Sequence, residues 1–218
     1  MCHQSFVSIH TLNSVSSAGR IHSTALDTSN DIWTFISWGR PFRLSSPFLD
    51  HTSPQTTAKQ VICGWAFSAA LTESGDVLVF WPHSRRMKAA ISARMQALDN
   101  QNLPGVIPAA DRPGVIPCNP YVLEGVDPVK LFPLTTGDLP ELRGTGTTVE
   151  GETKIVKIAG LEHSIIGLTN KGHVLIYHVN DRERPQLPGQ WIYVSLALRS
   201  SLDEYQCITV RSCPSSAK

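Results

Sequence analysis

Eight histidines and five cysteines are the residues with which this chain could hold a metal ion or arm a nucleophile. Zinc sites draw on these side chains at short, fixed spacings. The cysteines are Cys2, Cys63, Cys118, Cys207 and Cys213. No two form a C-x-x-C pair, and their odd number leaves no complete disulfide framework. Reduced thiols and no thiolate metal site are expected. His173 and His178 lie five apart on a predicted strand, so they point to opposite faces and do not share an ion. The sequence has no G-x-S-x-G elbow and no paired carboxylates. Gly144 and Gly146 form a G-x-G with no strand before it, so no phosphate cradle is predicted. The expectation is a chain with no catalytic residue, no metal and no cofactor, which is not an enzyme.

Binding is the chemistry left, and two sets of residues are candidates for it. Arg85, Arg86, Lys88 and Arg94 crowd into a short stretch and suit a phosphate or an acidic partner; as a bland alternative they are the wet face of a helix. Trp65 is the second candidate, because its counterparts in the repeats described next differ in type. Formal net charge is only +1. No strong field for nucleic acid or an anionic membrane follows from that, so neither is expected as a specific partner. Met1 to Ile9 show no basic stretch followed by an apolar run, and no stretch approaches a membrane span. A cytoplasmic or nuclear chain is expected.

The elements that position these residues come from a repeat. Gly19 opens G-R-I-H-S-T-A-L-D-T-S-N-D-I-W-T-F, and Gly64 opens G-W-A-F-S-A-A-L-T-E-S-G-D-V-L-V-F. The two align without a gap at an offset of 45. Identical pairs are Gly19/Gly64, Ser23/Ser68, Ala25/Ala70, Leu26/Leu71, Ser29/Ser74, Asp31/Asp76 and Phe35/Phe80. A third copy runs from Gly160 to Tyr177, and its second half sits at an offset of 97 from the second copy. There Leu71/Leu168, Thr72/Thr169, Gly75/Gly172, Val77/Val174 and Leu78/Leu175 match. On this alignment its first half carries one extra residue. That makes Leu161 and Arg20 the counterparts of Trp65, and sets His22 and His163 level with Phe67. Alternation between His and Phe reads as a core position. Ser23, Ser68 and Ser164 read as packing residues.

Each copy is a small-and-apolar strand, a turn, then a β-branched and aromatic strand. Ser74-Gly75 and Lys171-Gly172 are hairpin turns that need positive φ. Asn30 stands in that place in the first copy, and Asn tolerates the left-handed region best after Gly. Ser37 to Pro41 form a Trp-Gly turn, and residues 41–58 lead to the next copy. Trp33, Trp38 and Trp81 read as core. Met87, Ile91, Met95 and Leu98 fall at helical spacing, so a helix is predicted over 84–98. Residues 100–153 read as a Pro/Gly-rich surface loop containing P-G-V-I-P twice.

These strings resemble the repeats of the regulator of chromosome condensation family, whose blade reads roughly C-G-x-x-H-S-x-A-L-T-x-x-G-x-V-x-x-W-G. Cys63 to Phe80 and Gly160 to Tyr177 follow that text. The resemblance implies an all-β fold: a partial β-propeller, with about three recognisable blades of a seven-bladed family fold. It places the first two repeats at 15–82, an inserted helix and loop at 83–153, the third repeat at 154–193 and an irregular tail at 194–218. Asp31 to Asp50, Cys63 to Phe67 and Ile166 to Leu175 are similar to the fungal SCF-associated factor group, which joins an F-box to such repeats.

That second likeness implies the substrate-recognition part of an SCF-type ubiquitin ligase receptor. Its partner is a protein to be ubiquitinated, with a Skp-type adaptor only if an F-box is present in the full-length product. Met1 to Ala18 do not read as an F-box. Leu139 to Leu142 resemble the start of one, but Arg143-Gly144-Thr145-Gly146 follow where helices belong. Three repeats do not close a ring, so the chain is expected to be a fragment, either part of a longer protein or a truncated paralogue. Two other readings remain. One is a guanine nucleotide exchange factor for a Ran-type small GTPase, as in the founding family member. The other is a WD-repeat propeller, which the 45-residue offset suits but the missing Gly-His and Trp-Asp punctuation does not.

Overall fold

Each repeat is a hairpin, and each hairpin lies within a sheet of four or five strands. A computed structural model of the chain describes residues 15–36, 40–100, 120–131, 134, 153–179 and 190–194. The first sheet holds β1 (Val15–Ala18), β2 (Ser23–Leu26), β3 (Ile32–Phe35) and β4 (Phe42–Leu44). The second holds β5 (Ala58–Cys63), β6 (Ser68–Thr72), β7 (Val77–Phe80) and β9 (Val129–Lys130). The third holds β10 (Ile155–Gly160), β11 (Ser164–Thr169), β12 (Val174–His178) and β13 (Ile192–Tyr193). All neighbours within these sets run antiparallel.

The first strands of the three sheets lie together. β5 packs on β1 and β2 to one side and on β10 to the other. Sheets that meet along their first strands and fan out from them are blades of a propeller. The chain is therefore a partial β-propeller, three blades of which are described.

The blades crowd where they meet. A Cβ added at Gly19 would lie 2.3 Å from the Gly64 carbonyl oxygen, and one at Gly160 would lie 2.3 Å from that of Cys63. Only glycine permits that approach. Crowding also explains Ala69 and Ala70 in β6, which are wholly buried. A side chain bridges the second and third blades. Gln60 donates to the Ile158 carbonyl at 2.7 Å and accepts from its N–H at 3.0 Å.

Strand register corrects one step of the sequence alignment. Ser23 pairs with Phe35, Ser68 with Phe80 and Ile165 with Tyr177. The third copy thus stays at an offset of 97 throughout, with no extra residue. Both β5 and β10 carry an irregularity at the same place, between Ala58 and Gln60 and between Ile155 and Lys157. The turn position is as expected: φ is +64° at Asn30, +96° at Gly75 and +82° at Gly172. One position repeats its role three residues earlier. Asp27, Thr72 and Thr169 each accept the N–H four residues on, from Asp31, Asp76 and His173, at 2.9, 3.1 and 3.0 Å.

Two cores fill the seams between blades. In β6 and β7, Leu71, Val77 and Val79 face the third blade, while Ala70, Leu78 and Phe80 face the first. Successive residues of a strand point to opposite faces, so the middle sheet is buried on both. The predicted helix is α1 (Arg85–Asn100). Met87 is buried, and Ile91, Met95 and Leu98 pack beside it on the core between the first and second blades.

Part of the segment read as loop is sheet. β8 (Tyr121–Leu123) pairs parallel with β4, which makes the first sheet five-stranded. The chain then returns as β9 to complete the second sheet. Their short apolar runs, flanked by Pro and Gly, carried no repeat signal. Trp38 of the Trp-Gly turn, both P-G-V-I-P strings, Leu139 to Gly146 and the tail beyond Val194 lie outside the described residues.

Candidate protein-interaction surface

Three turns form one rim of the blades. In each, the first N–H bonds the fourth carbonyl: Gly19 to His22 and Gly64 to Phe67 at 2.9 Å, Leu161 to Ser164 at 2.8 Å. Each turn closes the first hairpin of its blade, so all three sit at the same end. β7 also ends there, and Trp81 to Ser84 lead from it into α1.

Side chains from the three turns stack in a column. The Arg20 guanidinium carbon lies 3.9 Å from the centroid of the Trp65 indole. On Trp65 also rests the His163 ring, 5.9 Å between centroids and 15° from parallel. Arg20 and His163 are exposed and Trp65 is half-buried. Glu162 approaches His163 Nε2 at 3.3 Å, and its carbonyl accepts the Trp65 N–H at 2.9 Å. Arginine over an indole keeps its N–H edge free for a carboxylate, and each exposed cation–π contact is worth about 0.5–1 kcal/mol.

The register moves two expectations. The counterpart of Trp65 in the third blade is Glu162, not Leu161. His163 matches Ile21 rather than His22, and it is a surface residue rather than core. The strings Gly19 to Ser23 and Gly160 to Ser164 look alike but sit one residue apart in the fold. The buried position holds His22, Phe67 and Ser164, at 6%, 0% and 7% exposure.

His22 belongs to a polar clasp between the first two blades. Its Nε2 lies 2.7 Å from Ser68 Oγ. Cys63 Sγ lies 3.2 Å from Thr24 Oγ1 and 3.2 Å from the Ser17 carbonyl, and the Cys63 N–H donates to Ser17 Oγ at 2.9 Å. Burial holds the His22 pKa down at about 4, with His83 beside it pushing the same way and a backbone bond to Phe67 opposing. A neutral imidazole beside a serine is the pairing that activates a nucleophile. Ser68 is wholly buried, however, so its hydroxyl meets no substrate and the pair ties strands together.

The helix divides its cations. Arg85, Arg86 and Lys88 are exposed in its first turn, and Arg86 Nη2 donates to the Gly125 carbonyl at 3.0 Å. Arg94 is half-buried and lies by helical spacing on the side of Met87, Ile91 and Leu98, so it does not join the other three. Ser84 caps the helix by accepting the Met87 N–H at 3.1 Å, and the first turn has no acidic residue. Three cations at the positive end of a helix oppose its dipole, a local cost that the Arg86 bond to Gly125 offsets only in part. Among the described residues no His, Cys, Asp or Glu cluster is placed to hold a metal ion, and no helix is long and apolar enough to cross a membrane.

Sheets of four or five strands that fan out from their first strands define a partial β-propeller, with a side-chain column on one turn rim. No family model and no curated protein matches the chain. Among solved structures it is similar to human WBSCR16, at 16% identity and a TM-score of 0.43, over 80% of this chain and 36% of that one. It is also similar to Prp20p from Saccharomyces cerevisiae, described with its binding properties to Gsp1p and histones, at 14% identity and a TM-score of 0.39, over 75% and 31%. A structure of Kap60 bound to yeast RCC1 (Prp20) matches at 15% identity and a TM-score of 0.40, over 81% and 36%. The chain thus spans about a third of the length of the chains it matches.

Proposed function

We propose that the chain is a protein-interaction scaffold that docks its partner on the turn rim and does no covalent chemistry of its own. The observation that carries this is the column Arg20–Trp65–His163. Three successive blades each give one side chain to a single surface feature, in which Arg20 and His163 are exposed and Trp65 is half-buried. Turns on a rigid sheet scaffold are where recognition residues concentrate, and Trp and Arg are the types that dominate binding energy.

The finer reading is the substrate-recognition part of an SCF-type ubiquitin ligase receptor, acting in a cytoplasmic or nuclear compartment. The likeness of Asp31–Asp50 and Cys63–Phe67 to the SCF-associated factor group supports it, and the reading requires an F-box in the full-length product. Its mechanism is recruitment: the rim holds the protein to be ubiquitinated, and an adaptor bound elsewhere brings the ligase. The alternative is nucleotide exchange on a Ran-type GTPase.

The test is quantitative affinity purification of the tagged full-length product beside its Trp65→Ala variant. A partner that is lost in the variant is expected, together with Skp-type adaptor and cullin subunits that are retained. An identical set of proteins from both sinks the rim as the docking site. Absence of ligase subunits removes the ubiquitin-ligase reading, and accelerated nucleotide release from a Ran-type GTPase installs the alternative.

A further inference from the structure

We infer that the partner segment seated on this rim is an acidic peptide with apolar side chains between its carboxylates. The inference rests on the interaction reading above and adds the chemistry of the partner.

Charge is partitioned between the two ends of the blades. The rim segments 19–22, 64–67, 81–88 and 161–164 contain Arg20, Arg85, Arg86 and Lys88 against one carboxylate, Glu162. At the opposite end the hairpin turns 27–31, 72–76 and 169–173 reverse this: Asp27, Asp31, Glu73 and Asp76 stand against Lys171. A formal net charge of +1 hides this separation.

The two ends also differ in what their charges do. Three of the four acids are used within the fold. Asp27 takes the Trp33 indole N–H at 2.9 Å, Asp31 takes Arg43 at 2.7 Å and His51 at 2.8 Å, and Asp76 takes Lys130 at 2.8 Å. At the column rim Arg20, Arg85 and Lys88 make no ion pair among the described residues. Arg85 and Lys88 stand at the helix end whose dipole is already positive, and His83 just before it lies 3.2 Å from the carbonyl of Ile21, the neighbour of Arg20, so the field there adds rather than cancels.

Apolar surface is set among these cations. Ile21 is 42% exposed and Leu161 46% exposed, each in the same turn as a member of the column. A polyanion with no apolar groups would leave both wet. A segment alternating acidic and apolar residues satisfies the cations and covers Ile21, Leu161 and the open part of Trp65 together. Phosphate-rich nucleic acid is the less suited occupant, because its recognition here would need a broader basic track than one turn of a helix and one arginine.

The experiment is fluorescence anisotropy of the full-length chain with three labelled probes. They are a short peptide alternating glutamate and leucine, the same peptide with glutamine for glutamate, and a single-stranded oligonucleotide of matched charge. The acidic peptide is expected to bind at low salt and to weaken as salt rises, and the glutamine peptide is expected to lose most of that binding. Arg20→Glu and Lys88→Glu each weaken the acidic peptide by about tenfold, while Lys171→Glu at the opposite end leaves it unchanged. Arg20→Gln serves if the charge reversal disturbs folding, as checked by circular dichroism.

Failure of the acidic peptide to bind, or binding indifferent to both rim variants, overturns the inference. So does an oligonucleotide that binds as tightly and is weakened by the same variants. If the peptide fails yet Trp65→Ala still strips a partner from the purified product, the chemistry is wrong and the interaction reading stands. If the peptide binds but no partner depends on Trp65, the reverse holds.

Discussion

The second and third blades are built from the same repeat and live in different surroundings. Leu71 of β6 is wholly buried, while Leu168, the same position in β11, is 37% exposed. Val77 and Val79 are buried; Val174 and Ile176, which match them, are half-buried. The difference is not in the residues. Leu71, Val77 and Val79 face the third blade, and on the equivalent face of the third blade no sheet is packed among the described residues. Val156, Leu168 and Ile192 are left as exposed large hydrophobics there. A blade in this fold does not bury itself. Its neighbour does it, as in other repeat architectures.

That lesson is open to a direct test on matched substitutions. Leu71→Ala should cost about 2–5 kcal/mol, because it removes a fully enclosed side chain and leaves a cavity between two sheets. Leu168→Ala should cost under about 1 kcal/mol in the described fold, because part of that side chain is already in water. Urea unfolding of both variants beside the parent measures the difference. Equal large losses would show that the outer face of the third blade is covered as the second blade's is.

The seam between the first and second blades offers a pH test. Its buried repeat position holds His22, where the second blade has Phe67. The folded pKa of His22 is about 4, below the ordinary value of 6.5. The unfolded chain therefore binds more protons than the folded one between those values. Stability is full above pH 6.5, declines as pH falls, and the loss is complete once pH drops below about 4. The size is on the order of 3 kcal/mol, since each pKa unit is worth about 1.4 kcal/mol. His22→Phe puts the second blade's residue into the first. It should flatten the unfolding midpoint between pH 7 and about 4, leaving only the carboxylate contribution. An unchanged pH profile would mean that another group carries the transition.

Much of this was legible in the sequence, and the parts that were not have physical causes. The hairpins were legible because a turn that needs positive φ accepts few residue types, so Asn30, Gly75 and Gly172 announce it. The helix was legible because Met87, Ile91, Met95 and Leu98 keep one face. The third copy was misaligned because a Gly-x-x-His-Ser string can be met one residue out of register, and only strand pairing tells a turn glycine from a close-approach glycine such as Gly160. β8 and β9 were missed because two or three residues show no periodicity. Trp65 was flagged by its variability, and Arg85, Arg86 and Lys88 by their density. Arg20 and His163 were not flagged, since stacking across blades leaves no trace along the chain. Trp191, buried against Tyr177 at 5.3 Å between ring centroids, likewise lies outside any repeat signal.

The smallest effect compares one turn position in the same two blades. Gly75 and Gly172 both have positive φ, where an L side chain is strained by roughly 1–2 kcal/mol. A Cβ at Gly75 would also meet the Ile155 carbonyl oxygen at 2.9 Å and Lys154 Cβ at 3.0 Å, because the third blade abuts that turn. A Cβ at Gly172 has nothing within 4 Å. Gly172→Ala should therefore cost the backbone strain alone, and Gly75→Ala that strain plus the contact with the third blade. Asn, which the first blade uses at Asn30, should recover part of the loss at Gly172 but little at Gly75. Thermal unfolding of the four variants separates the two terms, since the conformational part is common to both sites and the crowding is not. If Gly172→Ala proves as costly as Gly75→Ala, the turn of the third blade is crowded too, and the contrast between a covered and an uncovered blade fails at this end of the sheet.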